Sequence, residues 1–356
     1  MEIKEYTPQQ FDELEKHWKQ LEKGCEMTAF QLYDWYKNIN DLYSREKVKN
    51  IFRKWTYVLV TEQDVPIMIA PIQVVKFGFG NKRVGYPKGF YIIRRQWYSD
   101  YLNFIYEDFS EKAVDLVLKY MFEKYGLNVC RFEQIIKNTS FYQYITKHFK
   151  YSQWECYCAE LVLPETFDEY KNLLSKSTRQ NIRTAINRQS RDGVNLQHRI
   201  VYSLDDETLE KLKEIRAQRL KEKQQKSAGK ASLFGKAYGF LRKMSIRLFC
   251  AEHNVLHNSC APWCFLVTDG DKIASYFWGI RNDYKKEFYI ILAGVDKEYL
   301  WYSPSISHLY LFIEEQYKEG ADDIKVFDFT RGGERYKTDM GGSKKETYRI
   351  DFSINE

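Results

Sequence analysis

The stretch between residues 288 and 352 constrains the fold most, because strand patterns alternate there with one long helix pattern. Its segments in order are a strand at Phe288–Val295, a helix from Ser303-Pro304-Ser305 to Gly320, a strand at Ile324–Phe329 and a last strand at Glu346–Phe352. Serine followed by proline is typical of a helix start, since serine caps backbone N–H groups and proline fits the first helical turn. This alternation predicts an α/β architecture with a mixed sheet.

Between the last two strands lies a charged, glycine-bearing segment, Thr330–Gly342, which ordinary packing does not explain. Asp328, Arg331, Glu334 and Lys337 gather on this connection. Charged loops at strand ends carry function more often than structure, so we expect binding or catalytic groups here. The alternative is that these charges pair with one another and fix the loop. A functional role and internal pairing can also occur together. The helix start at Ser303 adds free N–H groups and a positive dipole end, which suit a phosphate.

A short segment earlier in the chain is similar to one in the second half, which suggests an internal repeat. Leu59–Asp64 parallels Leu266–Asp271, and each leads through the turn of a predicted hairpin. In both halves the order that follows is a strand, a long helix ending in glycine, a strand, a shorter segment and a strand. These matches predict two copies of one α/β unit, with domains at residues 1–164 and 165–356.

Composition excludes a disordered chain and a nucleic-acid-binding arm. Of 356 residues, 44% are hydrophobic and 17% aromatic, which is enough for a core in each of two domains. The formal net charge is +6. This mild excess predicts no DNA partner but is compatible with an anionic cofactor or substrate.

The amino terminus and the cysteines together favour a cytoplasmic enzyme. Met1–Gln20 is charged and has no apolar run typical of a signal peptide, and the longest apolar stretch, Val65–Val75, is too short to span a bilayer. The seven cysteines are scattered over the chain. Reduced thiols are therefore expected.

Four residues of the types that bind zinc lie close together: His253, His257, Cys260 and Cys264. A zinc knuckle separates its two ligand pairs so that a loop closes around the metal, and this spacing is too compact. Cys264 also falls on a predicted strand. We expect incidental histidines and cysteines and no metal. The sequence also lacks the Gly-x-Ser-x-Gly, Walker and Gly-x-Gly-x-x-Gly motifs, so it does not support a serine nucleophile or a nucleotide phosphate loop.

A predicted helix from Ser175 to Arg191 carries arginines at four-residue spacing, Arg179 and Arg183. One interpretation is a solvated basic face. The other is a clamp for phosphate or carboxylate, because guanidinium offers a rigid bidentate fork. The pattern alone favours neither.

The carboxyl-terminal motifs resemble those of GNAT-superfamily acyltransferases. The resemblance is carried by Tyr302-Ser303-Pro304-Ser305, by Phe327-Asp328-Phe329, by Arg331-Gly332-x-Glu334-x-Tyr336-Lys337 and by Gly341. The branch that is most similar is that of the cellulose-biosynthesis (CelD-like) acetyltransferases, related to the Fem peptidoglycan aminoacyltransferases. Its members have two GNAT-like domains in tandem, in agreement with the repeat.

The resemblance implies an N- or O-acyltransferase that takes an acyl group from acetyl-CoA or another acyl-CoA. The acceptor it implies is a small molecule: a sugar, a sugar nucleotide or another precursor of envelope polysaccharide. The residues expected to bind the donor are Ser303, Pro304, Ser305, Ala293 and Gly294. The candidates for the general base are Asp328, Glu334 and His308, among which the sequence does not choose. The residues expected to hold substrate groups are Arg179, Arg183, Arg331, Tyr336 and Lys337.

Two departures from the family pattern leave the donor open. Ser305 stands where the family usually has glycine, and the GNAT pyrophosphate loop Gln/Arg-x-x-Gly-x-Gly/Ala is missing. The donor can therefore be an acyl-CoA, another thioester or, as in Fem enzymes, an aminoacyl-tRNA. The modest net charge argues against tRNA. A third hypothesis is a GNAT-like module that binds an anionic glycan or nucleotide without catalysis.

Overall fold

The computed structural model describes residues 1–45, 53–76, 79–81, 84–94, 99–228, 240, 263–318 and 324–354. The chain divides into two compact units. The first comprises Met1–Cys156, Glu346–Glu356 and the described part of Ala231–Val255, and the second comprises the described residues of Tyr157–Lys230 and Leu256–Lys345. The domain boundary placed at residue 164 stays a prediction.

The first unit is built on a mixed sheet with helices. Its helices are α1 (Glu15–Leu21), α2 (Tyr33–Arg45), α3 (Glu111–Tyr125) and α4 (Ser140–His148). Its strands are β1 (Glu2–Tyr6), β2 (Lys54–Glu62), β3 (Val65–Val75), β4 (Phe79–Asn81), β5 (Val84–Tyr86), β6 (Gly89–Ile92), β7 (Val129–Ile136) and, at the end of the chain, β14 (Ser343–Ser353, from Glu346 onward). The sheet order is β1-β2-β3-β6-β7-β14, with β4 and β5 as a separate ribbon.

Local sequence explains the turns of this unit. Gln63 and Asp64 adopt positive φ angles of 50° and 63°, which close the tight turn of the predicted β2–β3 hairpin. Helix α3 is capped by the Ser110 side chain and ends at Gly126 in the left-handed conformation. Before α1 the chain forms a 3-10 helix, Pro8–Leu14.

The second unit carries the charged segment. Its helices are α5 (Phe167–Leu173), α6 (Lys176–Arg191), α7 (Asp206–Ala228), α8 (Pro304–Glu315) and α9 (Arg335–Asp339). Its strands are β8 (Tyr151–Val162, from Tyr157 onward), β9 (Leu196–Val201), β10 (Trp263–Asp269), β11 (Lys272–Asn282), β12 (Glu287–Val295) and β13 (Val326–Arg331). Their order is β8-β13-β12-β11-β10-β9.

One parallel pair interrupts this otherwise antiparallel sheet. Strands β12 and β13 run parallel, and α8 lies between them in the sequence. A parallel pair needs such a crossover, and the helix buries its apolar face on the sheet. Leu309, Phe312 and Ile313 supply that face and join the core around Phe265 and Phe327.

Two predicted boundaries shift for identifiable reasons. Strand β13 continues through Arg331 because Thr330 and Arg331 pair with Ala159 and Cys158 of β8. The segment predicted as a loop after β13 contains the short helix α9. The predicted helix end at Gly320 lies outside the described residues. No helix within the described ranges is long and apolar enough to cross a membrane.

Candidate active site

Strands β12 and β13 separate into a fork. They pair only over three residues, the last pair being Tyr289 and Asp328. Beyond that point β12 continues to Val295 and β13 to Arg331 without pairing to each other. A parallel sheet that opens in this way exposes backbone groups of both strands to a cleft. The fork is the feature around which the site is built.

Both strands of the fork carry a bulge just beyond the last pair. On the β11 side of β12, Trp278 pairs with Leu292 but Gly279 pairs with Ile290, so Ile291 is the extra residue. On the β8 side of β13, Asp328 pairs with Glu160 and Thr330 with Ala159. A bulge bends a strand and turns its groups away from the regular ladder, which explains why the strands part here.

Thr330 closes the apex of the fork. Its hydroxyl donates to the Ile290 carbonyl at 2.7 Å, and its backbone N–H donates to Asp328 Oδ1 at 2.7 Å. Its φ angle of 53° is uncommon for a β-branched residue. Because the two hydrogen bonds hold Thr330 in this conformation, the width of the fork is fixed at its base.

Two adjoining cavities fill the fork. The smaller one, of about 190 Å³, is lined by Ile290–Ala293 on β12, by Phe329, Thr330 and Arg331 on β13, by Glu334, Tyr336 and Lys337, and by Arg216 and Arg219 on α7. The other, of about 350 Å³, lies towards the start of α8. Arg219, Ala293 and Tyr336 belong to both walls, so the two cavities form one elongated cleft.

The start of α8 forms one end of this cleft. Ser303 is left-handed, with φ 45° and ψ 50°, and Pro304 is the first helical residue. Ser305 is 7% exposed, lines the cleft, and its Oγ has no hydrogen-bond partner. A buried hydroxyl without a partner is costly unless a ligand supplies one. Together with the positive end of the helix and Lys297 in the same wall, this favours an anionic group here.

The charged segment supplies the other end of the cleft. The buried Lys337 donates to the carbonyls of Thr330 and Arg331 at 3.3 Å and 2.8 Å, and its Nζ lies 3.1 Å from a Glu334 carboxylate oxygen. A Cβ at Gly332 would meet that carboxylate at 2.2 Å. Glycine at this position therefore lets Glu334 fold back over the chain. The loop is thus internally paired and also lines the cleft.

Tyr336 stands in the middle of the cleft. Its ring packs on Phe277 and Phe329. Burial raises the pKa of the Tyr336 hydroxyl well above its ordinary value; the Glu334 carboxylate adds to the rise and Arg219 opposes it. The hydroxyl therefore keeps its proton at neutral pH and can donate it.

The two donor-site residues predicted on β12 have different surroundings. Ala293 lines the cleft, and its carbonyl accepts a 2.8 Å hydrogen bond from Arg219. A Cβ at Gly294 would meet the Tyr276 ring at 2.3 Å and Ile215 of α7 at 3.0 Å. Glycine is thus needed for α7 to approach β12 closely, which places Arg219 at the cleft.

Asp328, a candidate base, lies away from the cleft walls. It is fully buried, and its Oδ2 lies 3.0 Å from Lys345 Nζ, which also contacts Glu160 at 2.6 Å. Although burial acts to lower the pKa of Lys345, the two carboxylates raise it above its ordinary value. Through Lys345, Asp328 thus anchors β13 to Glu160 of β8, and it also accepts from Thr330 at the fork.

His308, another candidate base, faces β9 and does not line either cavity of the fork. Its Nδ1 lies 3.1 Å from Nδ1 of His198, whose Nε2 lies 3.0 Å from a Glu315 carboxylate oxygen. Its Nε2 lies 3.4 Å from Oε1 of Gln189. An amide oxygen only accepts, so His308 Nε2 carries hydrogen and its Nδ1 accepts from His198. Burial lowers the pKa of His308 to about 4, and the charge on His198 adds to the effect.

Acidification from neutral pH towards pH 4 is expected to destabilise the second unit through His308. Its folded pKa of about 4 lies below its ordinary 6.5, so the unfolded chain binds more protons between these values and stability falls as pH falls. The loss is at most about 3 kcal/mol. Urea unfolding between pH 6.5 and pH 4 should show that the free energy of unfolding changes less with pH in His308→Gln than in the wild type. His148→Gln, at an exposed histidine, serves as control. An identical slope in wild type and His308→Gln contradicts the assignment.

The predicted arginine clamp on α6 also lies away from the cleft. Arg179 donates to the Lys171 carbonyl at 2.8 Å, and Arg183 is exposed. Neither lines the fork. By contrast Arg331, Tyr336 and Lys337 line it together, as the charged-segment hypothesis requires.

Of the four residues of the types that bind zinc, one lies within the part of the chain that the structure describes. His253, His257 and Cys260 lie outside the described residues, whereas Cys264 is a buried free cysteine on β10. Burial raises the pKa of its thiol well above the ordinary value. Within the ranges that the structure covers, no group of three or more histidine, cysteine or acidic side chains could hold a metal ion.

Comparison with known proteins agrees with this geometry. Residues 176–338 match the family described as the acetyltransferase (GNAT) domain. The match covers the fork, α8 and residues 330–338 of the charged segment. The second half of the chain carries a GNAT acetyltransferase domain. The protein is therefore an acyltransferase. No curated protein matches the chain.

Three solved structures are similar to the chain at low sequence identity, and the two with a TM-score above 0.5 share its fold. The crystal structure of FemX is 11% identical with a TM-score of 0.57, and covers 100% of this chain and 98% of its own. A conserved protein of unknown function from Bacteroides thetaiotaomicron VPI-5482 is 11% identical with a TM-score of 0.51, with 99% of each chain covered. A tandem GNAT protein from the clavulanic acid biosynthesis pathway is 8% identical with a TM-score of 0.44, over 100% and 99%. The predicted mixed α/β fold is confirmed, and the tandem arrangement of two GNAT-like domains stays a prediction.

Several residues that line the cleft were not predicted from the sequence. Arg216 and Arg219 lie on α7, whose many charged residues resemble a solvated surface although Leu212 and Ile215 are buried. Thr330 and the bulge at Ile291 have no local sequence signature, because both depend on pairing with another strand. Lys297 could have been found, since it closely precedes the predicted helix start at Ser303.

Proposed function

We propose that the protein transfers an acyl group from a CoA-type thioester to an amine or hydroxyl, and that the fork between β12 and β13 is where transfer occurs. The observation that carries this proposal is the cleft itself, which joins the bulged β12 to the buried, unpartnered Ser305 hydroxyl at the start of α8. An elongated thioester with phosphates at one end fits that shape. GNAT domains generally use acyl-CoA donors.

The donor would bind along β12. Its phosphates would lie at the start of α8, where Ser305 Oγ, Lys297 and the helix N–H groups favour anions. Pro304 has no N–H to offer. Ser305 thus takes over part of the role of the glycine-rich loop that the chain lacks. The apolar wall of Phe277, Ala293 and Ile306 would hold the arm between phosphates and thioester.

The transfer would occur in the smaller cavity, at the end of the cleft away from the start of α8. Backbone N–H groups of β12 beyond Ile290 would polarise the thioester carbonyl. The acceptor's lone pair attacks the carbonyl carbon, so a bond to the acceptor forms while the carbon–sulfur bond breaks. Glu334 would accept the acceptor's proton, and Tyr336 would donate a proton to the departing sulfur. Of the three candidate bases, Glu334 is the one whose position in the cleft supports this role.

Ser305→Val is expected to weaken CoA binding about tenfold, because it removes one hydrogen bond to a charged phosphate and leaves the shape of the site. The binding of acetylpantetheine, which has no phosphate, should not change. Isothermal titration of both ligands into wild type and variant measures this. Ser190→Ala, on α6 away from the cleft, is the control. Equal weakening of both ligands, or none, would count against the phosphate role.

The finer substrate assignments rest on the sequence resemblance. We propose a sugar, sugar nucleotide or related envelope-polysaccharide precursor as the acceptor, a place in the cellulose-biosynthesis branch, and action in the cytoplasm. An aminoacyl-tRNA donor is the competing hypothesis. A panel of donors distinguishes the two hypotheses. Release of free thiol from acetyl-CoA on adding amino sugars supports the acyl-CoA donor, and turnover of aminoacyl-tRNA alone supports the aminoacyl-tRNA donor.

A further inference from the structure

Helix α6 holds the chain just before α8 by its backbone carbonyls. Gln189, near the end of α6, donates from Nε2 to the Tyr302 carbonyl at 3.1 Å. Its neighbour Arg188 donates to the Trp301 carbonyl at 3.2 Å, and the Arg188 guanidinium lies 3.7 Å from the centre of the Trp301 ring. Two consecutive carbonyls ahead of α8 are thus held by two consecutive side chains of one helix.

The next residue along the chain, Ser303, has a backbone conformation that needs such support. Its φ of 45° and ψ of 50° are left-handed, which residues with a side chain seldom adopt. Its side chain makes no capping hydrogen bond. Ser307 Oγ donates to the Ser303 carbonyl at 3.1 Å and accepts from Gln189 Nε2, also at 3.1 Å. Gln189 therefore contacts the chain on both sides of Ser303, at Tyr302 and at Ser307.

The direction of the Gln189 amide is fixed by its partners. Gln189 is buried, and its two Nε2 hydrogens go to the Tyr302 carbonyl and to Ser307 Oγ. Its Oε1 accepts from His308 Nε2 at 3.4 Å. Turning the amide over would place its oxygen against the Tyr302 carbonyl and its NH2 group against the N–H of His308. His308, which does not line the cleft, thus helps to hold the amide in one orientation.

The left-handed turn at Ser303 determines where the anion-binding groups of α8 point. Ser305 follows two residues later, and its buried Oγ lines the cleft without a hydrogen-bond partner. The free N–H groups of the first helical turn take their direction from the same residues. Gln189 is not among the described residues that line either cavity, so it acts on the site through the backbone and does not touch the donor.

We infer that Gln189 is a positioning residue for the donor: it fixes the left-handed turn before α8, so that Ser305 and the helix N–H groups face the phosphates. This rests on the proposed function of the cleft. The chain lacks the GNAT pyrophosphate loop. A side chain of a neighbouring helix therefore sets the shape of its phosphate site.

Gln189→Met tests the inference, because methionine keeps the length of the side chain and removes its hydrogen bonds. We expect CoA binding to weaken about tenfold, since the phosphate site is no longer preorganised. The binding of acetylpantetheine, which has no phosphate, should not change. Isothermal titration of both ligands measures this. Gln180→Met, on the exposed face of the same helix, is the control and should bind both ligands like wild type.

Amide hydrogen exchange of the ligand-free protein measures the turn itself. In Gln189→Met, residues 305–309 should exchange about tenfold faster, whereas the hairpin of β10 and β11 should exchange as in wild type. Faster exchange throughout the second unit, or equal weakening of both ligands, would show general destabilisation and overturn the positioning role. Ser307→Ala removes the hydroxyl between Gln189 and Ser303, and it should give the same selective loss if Gln189→Met does not fold.

The outcomes separate this inference from the proposed function. If wild type binds CoA and Gln189→Met matches Gln180→Met in both ligand binding and exchange, the inference is overturned and the donor site stands. If wild type does not bind CoA, the proposed donor is refuted. Selective loss of CoA binding with local loosening of residues 305–309 supports both.

Discussion

Gly279→Ala is expected to unfold the second unit or to abolish transfer. An added Cβ would lie 1.7 Å from the Tyr289 carbonyl oxygen and 2.8 Å from its carbon, both backbone atoms of β12. Gly279 faces Ile290 at the bulge, so β12 must move or the β11 pairing must break. Overpacking of a buried site costs about 1–3 kcal/mol and more where backbone blocks the way. We expect a loss of about 3 kcal/mol or more, measured by urea unfolding.

Gly333→Ala is the matched control. Its added Cβ would have only the Tyr157 ring as a near neighbour, at 3.9 Å, and its φ angle is not positive. A change within about 0.5 kcal/mol is expected. If Gly279→Ala is as stable as this control and retains full activity, the bulge does not need the close approach of β11 and β12.

Lys345→Met is expected to destabilise the second unit by about 3–5 kcal/mol at neutral pH. The substitution leaves the buried Asp328 and the partly buried Glu160 as two carboxylates without their shared cation. Both would then have pKa values raised in the folded state, because each charge is disfavoured by burial and by the other. Folding would take up protons, so the deficit should shrink as pH falls. Denaturant unfolding at neutral and acidic pH measures both effects.

Two variants show whether the loss of stability comes from the broken ion pairs or from the loss of a long side chain. Lys344→Met, at the exposed neighbouring position, should change stability by no more than about 0.5 kcal/mol. Adding Asp328→Asn to Lys345→Met should recover part of the loss, because it removes one of the buried charges. A deficit that is the same at all pH values and is not relieved by the second substitution would show that the charges are not its cause.

Features with a local cause could be predicted from the sequence. Pro304 indicated the start of α8 because proline fits the first helical turn, although the Ser303 side chain makes no capping hydrogen bond. The charges after β13 indicated the segment that lines the cleft. Arg331, Glu334, Tyr336 and Lys337 all line the cleft, and the roles assigned to them stay predictions. The α/β order also followed from periodicity within each segment.

Features that arise from pairing distant segments could not be predicted. The bulge at Ile291 depends on Gly279, and the conformation of Thr330 depends on Ile290 and Asp328. His308 has the ordinary chemistry of a base, and only the fold shows that His198 and Gln189 occupy its nitrogens. Arginines on a polar helix such as α7 carry no mark of the cavity that they face.

Amide hydrogen exchange with and without CoA tests most directly whether the fork holds the donor. Binding along β12 and at the start of α8 should slow exchange in residues 290–295 and 305–307, with no comparable change in the hairpin of β2 and β3. Ser305→Val should show the β12 protection at higher CoA concentrations only. Binding of CoA that leaves exchange in both segments unchanged would contradict the fork as the donor site.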